Sequence, residues 1–155
     1  MTTTMERAMQ LRHVLLVDNR EQRPLRFSDL VTVERTTLPT GDYSAVGLKE
    51  RVAIERKSLA DLVACCGPER ERFLDCCRRL RAYELGAIVV EASVDDVLSH
   101  SYRSRMNPQS VLGTSIAIFA DYGIPTIWAG DERNAASFVE RLLIRMLSRK
   151  PSEAA

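Results

Sequence analysis

Lysine is scarce in this chain: nineteen of the twenty-two basic residues are Arg and three are Lys. Such a bias arises from genome base composition as readily as from phosphate binding, so it permits a nucleic-acid ligand without indicating one. Net charge is +1, too close to neutral for a globally polycationic binder. Long apolar runs are missing as well. The longest, Val14 to Val17, Ala87 to Val90 and Ile116 to Ala120, fall far short of the ~20 residues that span a bilayer. The opening MTTTMERAMQLR has charges but no apolar core of a signal peptide, which points to a cytoplasmic protein with no membrane partner. No glycine-rich phosphate loop is present, which removes the usual nucleotide-binding signatures.

Cysteine is used in an uninformative way for metals. The four residues form two adjacent pairs, Cys65-Cys66 and Cys76-Cys77. Zinc sites need a spacer inside each pair so that two thiolates can converge on one ion. Both pairs fall in helical patterns, where neighbours diverge, so buried reduced thiols are expected.

What is present is a hydrophobic fraction of 45% and a charged fraction of 28% in 155 residues, the make-up of one ordinary domain. His13 to Val17 and the alternating Val31 to Thr36 read as strands, and Leu38-Pro39-Thr40-Gly41 as a turn. Asp42 to Val46 and Arg51 to Lys57 read as a hairpin around Gly47 to Glu50. Leu59, Leu62, Val63 and Cys66 are spaced as a helix that Gly67-Pro68 stops, and Phe73, Cys76, Cys77, Leu80 and Glu84 as a second. The outer face of that second helix carries Arg70, Arg72, Arg78, Arg79 and Arg81, a candidate DNA-binding surface. Ala87 to Glu91 and Ile124 to Trp128 are apolar enough to be buried strands. Between them, Asn107 caps a helix with Pro108 at its first position and Gly123 at its end. Asp131 caps a last helix, with a stripe of Ala135, Phe138, Val139, Leu142, Leu143, Met146 and Leu147. Hairpin first and strand–helix units later predict a single α/β domain: a mixed β-sheet flanked by helices over residues 13–149, with flexible tails at 1–12 and 150–155.

The hairpin carries the chemistry. Pairing about Leu48-Lys49 sets Tyr43 opposite Ile54 and Asp42 opposite Glu55, with Cβ atoms ~4.5–5.5 Å apart. Carboxylates that close repel, and a hard divalent cation between them relieves the repulsion. Strand alternation puts Lys57 on the same face as Glu55. Two acids that bind a water-acidifying metal, and an ammonium beside them to stabilise developing charge, suit phosphodiester cleavage.

Gly41-Asp42 followed by Glu55-Arg56-Lys57-Ser58-Leu59-Ala60-Asp61 closely resembles the GD…ERKxxxD signature of the XPF-type structure-specific endonucleases. These share the restriction-endonuclease-like PD-(D/E)xK fold, and the resemblance runs from about Val14 to Leu147. It implies that Asp42, Glu55 and the Arg56 main-chain carbonyl hold Mg2+ or Mn2+, and that Lys57 lies near the attacking water. It further implies roles for Asp18 and Glu21 at a second metal position or in the water network. Arg20 and the Arg56 side chain become candidates for contacting phosphate or holding the carboxylates, and Asp61 for orienting them. The implied function is a DNA endonuclease, cutting flap or branched DNA in repair or recombination. The implied assembly is a homodimer joined through the C-terminal helix region, where Ile144 widens the apolar stripe. Helicase and helix-hairpin-helix modules common in the family have no counterpart here, which leaves room for a separate accessory protein. A non-catalytic DNA-binding or scaffolding subunit is the alternative.

Overall fold

Apolar and β-branched runs become six strands in a computed structural model that describes residues 13–151. They are β1 (His13–Asp18), β2 (Val31–Thr36), β3 (Tyr43–Ala45), β4 (Val52–Lys57), β5 (Leu85–Val90) and β6 (Thr126–Trp128). Five helices accompany them: α1 (Leu59–Cys65), α2 (Arg70–Leu80), α3 (Val94–Leu98), α4 (Pro108–Tyr122) and α5 (Glu132–Leu147). The expected tail at 1–12, and residues 152–155 of the one expected at 150–155, lie outside the described residues.

The strands form one mixed sheet in the order β2-β1-β3-β4-β5-β6. The hairpin partners run antiparallel, as do β1 and β3, whereas β1–β2, β4–β5 and β5–β6 are parallel. Strand alternation sorts the core into two layers. Leu15, Val17, Tyr43, Val52 and Ile54 pack with Ala135, Val139, Leu143 and Met146 of α5. Ala53, Ile88 and Val90 pack on the other face with Leu62, Phe73, Cys77, Leu80, Val111 and Ile118. The α/β fold read from the sequence is therefore present, with α5 on one face and α1, α2 and α4 on the other.

Several boundaries move, each for a local reason. The strand expected from Ala87 starts at Leu85, because Leu85 pairs with Val52 in the parallel ladder. The strand expected from Ile124 starts at Thr126, after Pro125, which has no amide to give but accepts from Ile88. Helix α1 does end before Gly67-Pro68, yet Gly67 is absent from the positive-φ glycines; proline, not a left-handed glycine, stops it. Gly123 does take the left-handed cap, at φ 69°. Helix α3 is an addition, set by a capping box between Ser93 and Asp96. On α5 the buried set includes Ala136 and Glu140, and Phe138 turns outward, 43% exposed. Glu140 is buried because both its oxygens bind Ser28, at 2.8 Å from the amide and 2.5 Å from the hydroxyl.

Candidate active site

The site is assembled where the β3–β4 hairpin opens. Tyr43 pairs with Ile54, and the Asp42 amide donates to the carbonyl of that same Ile54 at 2.8 Å. Asp42 and Tyr43 therefore both meet Ile54, one residue off the expected pairing of Asp42 with Glu55, and the two acids come together on the lining of one cleft. Gly41 makes the entry possible. Its φ is +80°, and a Cβ there would stand 3.1 Å from the Ile54 carbonyl oxygen and 3.3 Å from the Ala53 Cβ. Only glycine brings the chain this close to β4 at that angle.

The Arg56 amide donates to Asp42 Oδ2 at 2.8 Å, and Lys57 Nζ lies 3.0 Å from Glu55 Oε1. Burial first, and then the charge of Glu55, push the Asp42 carboxyl up to about 7 from its ordinary 3.8. Burial works against the Lys57 charge, but Glu55 above all outweighs it and holds the ammonium protonated.

These groups face a cleft of about 600 Å³ between the hairpin and helices α1 and α2. Arg20, Asp42, Glu55, Lys57 and Asp61 all line it, together with Arg72 and Arg79. Asp61 arrives on the first turn of α1, where its amide is capped by Ser58 Oγ at 3.1 Å. Glu69, Phe73 and Cys76 also line the cleft and were not among the expected site residues. With Arg72 and Arg79 they form one stripe along α2 at helical spacing, a signal already present in the sequence.

The remaining candidates lie elsewhere. Asp18 is 1% exposed. Burial disfavours its charge, yet it stays ionised below the usual range because Arg20 Nε (2.6 Å), the Leu38 amide (2.7 Å) and the Arg20 amide (3.0 Å) all donate to it. Glu21 accepts from Tyr43 Oη at 2.6 Å and pairs with Arg56 at 3.1 Å. The Arg56 side chain also bonds Glu91 and the Arg23 carbonyl, and lies 3.5 Å from Glu132. Arg56 therefore ties β4 to the β1–β2 loop, β5 and α5, on the sheet face away from the cleft.

The five arginines expected on one helix face are divided. Arg72 and Arg79 reach the cleft; Arg70 lies 3.5 Å from Thr114 on α4. Arg78 is bonded to Asp75, and Arg81 sits over the Tyr122 ring, 5.4 Å from its centre. All four cysteines are free thiols. Burial foremost raises them, Cys65 to about 11 and Cys76 to about 12.

A divalent cation can be tested against these groups. Among the described residues no three His, Cys, Asp or Glu side chains converge into a cage. Two carboxylates on one cleft lining, one of them pushed up by burial and by the charge of the other, fit a magnesium-type ion that keeps several of its waters.

A mixed sheet whose central hairpin delivers two acids and a lysine to a helix-walled cleft defines a restriction-endonuclease-like nuclease domain of the XPF type. The chain belongs to the ERCC4 domain family, which matches residues 17–142. Among solved structures it is similar to XPF from Aeropyrum pernix in complex with DNA, at 26% identity and a TM-score of 0.69. That match covers 92% of this chain and 68% of the other. A second structure, XPF from Aeropyrum pernix, matches at 27% identity and a TM-score of 0.69 over 88% of this chain; the chain spans 62% of its length. No curated protein matches.

Proposed function

We propose that the protein is a divalent-metal-dependent DNA endonuclease acting in repair or recombination, with flap or branched DNA as its substrate. The observation that carries this reading is the Asp42 carboxyl, set against Glu55 at the cleft floor and driven toward neutrality in the absence of a cation. Asp42, Glu55 and the Arg56 carbonyl would hold Mg2+ or Mn2+. The bound ion supplies Lewis acidity toward the phosphoryl group and its attacking water.

The chain's own groups do the rest. Lys57 brings a fixed positive charge to the same face, suited to the oxyanion of a pentacovalent phosphate. Arg20, Arg72 and Arg79 line the cleft from two sides and suit a phosphate backbone. Asp61 faces the same space and can order a water or Lys57. Asp18, Glu21 and the Arg56 side chain hold the frame in this reading: their partners are other protein groups, and they brace the β1 loop against β4.

Dimerisation belongs to the same reading. Phe138 on α5 and Ile116 and Phe119 on α4 are exposed by 43%, 68% and 61%, and they suit burial against a second copy. Among the described residues no helix is long and apolar enough to cross a membrane. A non-catalytic scaffolding subunit is disfavoured because both acids and the lysine sit together in the cleft. Purified protein incubated with labelled linear, flap and branched DNA, with Mg2+, Mn2+ or chelator, decides the matter. Metal-dependent nicks are expected; intact DNA with either metal overturns the proposal.

A further inference from the structure

Beside the cleft lies a second concavity that the chemistry above does not use. It is a pocket of about 420 Å³ between α1 and the loop joining α3 to α4. Ala60, Val63 and Ala64 form one wall, and Tyr102, Arg103 and Met106 the other. Ala64 lines the cleft as well, so the two spaces are separated by a single helix. That is about 10 Å, one helix diameter.

The loop is held in shape by its own polar groups. Tyr102 Oη donates to the Met106 carbonyl at 2.7 Å, and the His100 and Tyr102 rings stack with centres 4.2 Å apart. His100 Nε2 meets the Ser104 carbonyl at 2.6 Å. His100 is also the one non-glycine residue with positive φ, 56°, among the described residues. A side chain held in that region marks a loop whose surroundings dictate its shape. The aromatic group is thus preorganised on a wall of an apolar pocket. Arg103 and Arg105 on the same loop are exposed and form no ion pair with the described residues. No carboxylate lines the pocket.

An apolar recess with an aromatic wall, Arg103 on its lining and Arg105 two residues along the same loop matches a nucleobase and its phosphates. An apolar peptide would use the recess but not the two charges. We propose that this pocket takes an unstacked base from a single-stranded arm of the DNA whose backbone occupies the cleft. This rests on the nuclease reading and gives it a source of preference: DNA with an unpaired arm fills both spaces, whereas a closed duplex keeps its bases stacked and fills one.

The test separates the pocket from the chemistry. Binding of a labelled single-stranded oligothymidylate is measured in chelator for the full chain and for Tyr102→Ala, Tyr102→Phe and Ala60→Leu. Loss of the ring, or filling the recess from α1, is expected to weaken binding about tenfold. Tyr102→Phe keeps the ring and loses only the bond to the Met106 carbonyl, and is expected to bind more tightly than Tyr102→Ala. Ala60 is an exposed helix position at which leucine is well tolerated, so Ala60→Leu remains informative should Tyr102→Ala fail to fold. In Mg2+, the two weakened variants are expected to lose cleavage of arm-bearing DNA relative to closed duplex. Unchanged oligonucleotide affinity in Ala60→Leu, or equal loss on both substrates, overturns the proposal and returns the pocket to a protein segment. A protein that cuts no DNA at all overturns the nuclease reading, while the chelator measurement still decides the pocket.

Discussion

The Arg56 amide holds Asp42 Oδ2 at 2.8 Å, so one of the two site acids is fixed by the residue that separates Glu55 from Lys57. The bond opposes the rise of the Asp42 pKa but does not overcome burial and the Glu55 charge. Asp42 is therefore a group the fold tolerates at a cost, and a cation would repay it.

The first prediction follows from the sign of that shift. The folded protein binds a proton at Asp42 more tightly than the unfolded chain does, so without metal stability falls as pH rises from about 4 to about 7. Asp42→Asn keeps an oxygen for the Arg56 amide and removes the charge. In chelator at pH 8 it is expected to be more stable than the parent, on the order of 1–3 kcal/mol, with the pH trend flattened and cleavage abolished. Added Mg2+ raises the parent's Tm and leaves that of Asp42→Ala unmoved. Thermal melts across pH, with and without metal, read all three.

Lys57→Met separates charge from ligation. Its removal leaves the carboxylate pair in place, so Mg2+ still raises Tm. Cleavage falls on the order of a hundredfold, the scale of one electrostatic stabiliser. Equal rates for variant and parent would remove Lys57 from the chemistry.

Arginines on one helix are expected to behave differently. Arg72 and Arg79 line the cleft, Arg72 with a loose 3.8 Å pair to Glu69, whereas Arg78 does not line it and is bonded to Asp75. Arg72→Ala and Arg79→Ala should each lower the slope of log affinity against log salt by ~0.9 on duplex DNA. Arg78→Ala should leave it unchanged. Fluorescence anisotropy over a salt series reports the slopes.

Thiol chemistry offers an independent check on the packing around the site. Burial raises all four cysteines, Cys76 to about 12 and both Cys65 and Cys77 to about 11. Iodoacetamide labelling at pH 7.5 is expected to be slow in the native protein and fast in denaturant, as the thiolate is the reacting form. Fast native labelling at Cys65 or Cys77 would mean that α1 and α2 pack more loosely against the sheet.

The proposed dimer predicts a species of twice 17.5 kDa by light scattering at micromolar concentration. Phe138→Glu, on the exposed face of α5, should halve it with the fold intact. A monomeric parent refutes the assembly.

Local rules reached far into this fold. The Tyr43–Ile54 pairing follows from strand period and turn position, so the meeting of Asp42 and Glu55 in one cleft is legible in the sequence, whereas the offset of Asp42 onto Ile54 is not. The side of Lys57 is legible too, since alternate residues share a face. The α2 stripe of Arg72, Cys76 and Arg79 obeys helical spacing, yet a list of arginines without their angles merged it with Arg70 and Arg78. The Ser93–Asp96 capping box was readable but short. Other features carry no local signal: Arg56 finds Glu91 and Glu132, and Glu140 finds Ser28 across 112 positions. Such pairs exist only once the sheet has been folded between its helices.

Strand β4 alternates between two faces, with Ile54 and Arg56 turned to α5 and Glu55 and Lys57 turned to the cleft. Selection therefore meets two nearly separate registers on six residues. Changes at the even positions 54 and 56 alter how firmly the strand is anchored and leave the reacting groups chemically as they were. In the proposed chemistry, changes at 55 and 57 would alter reactivity while the anchoring stays intact. A lineage could lose catalysis here by substitution at the odd positions and keep a well-built fold, free to serve as a partner for an active copy.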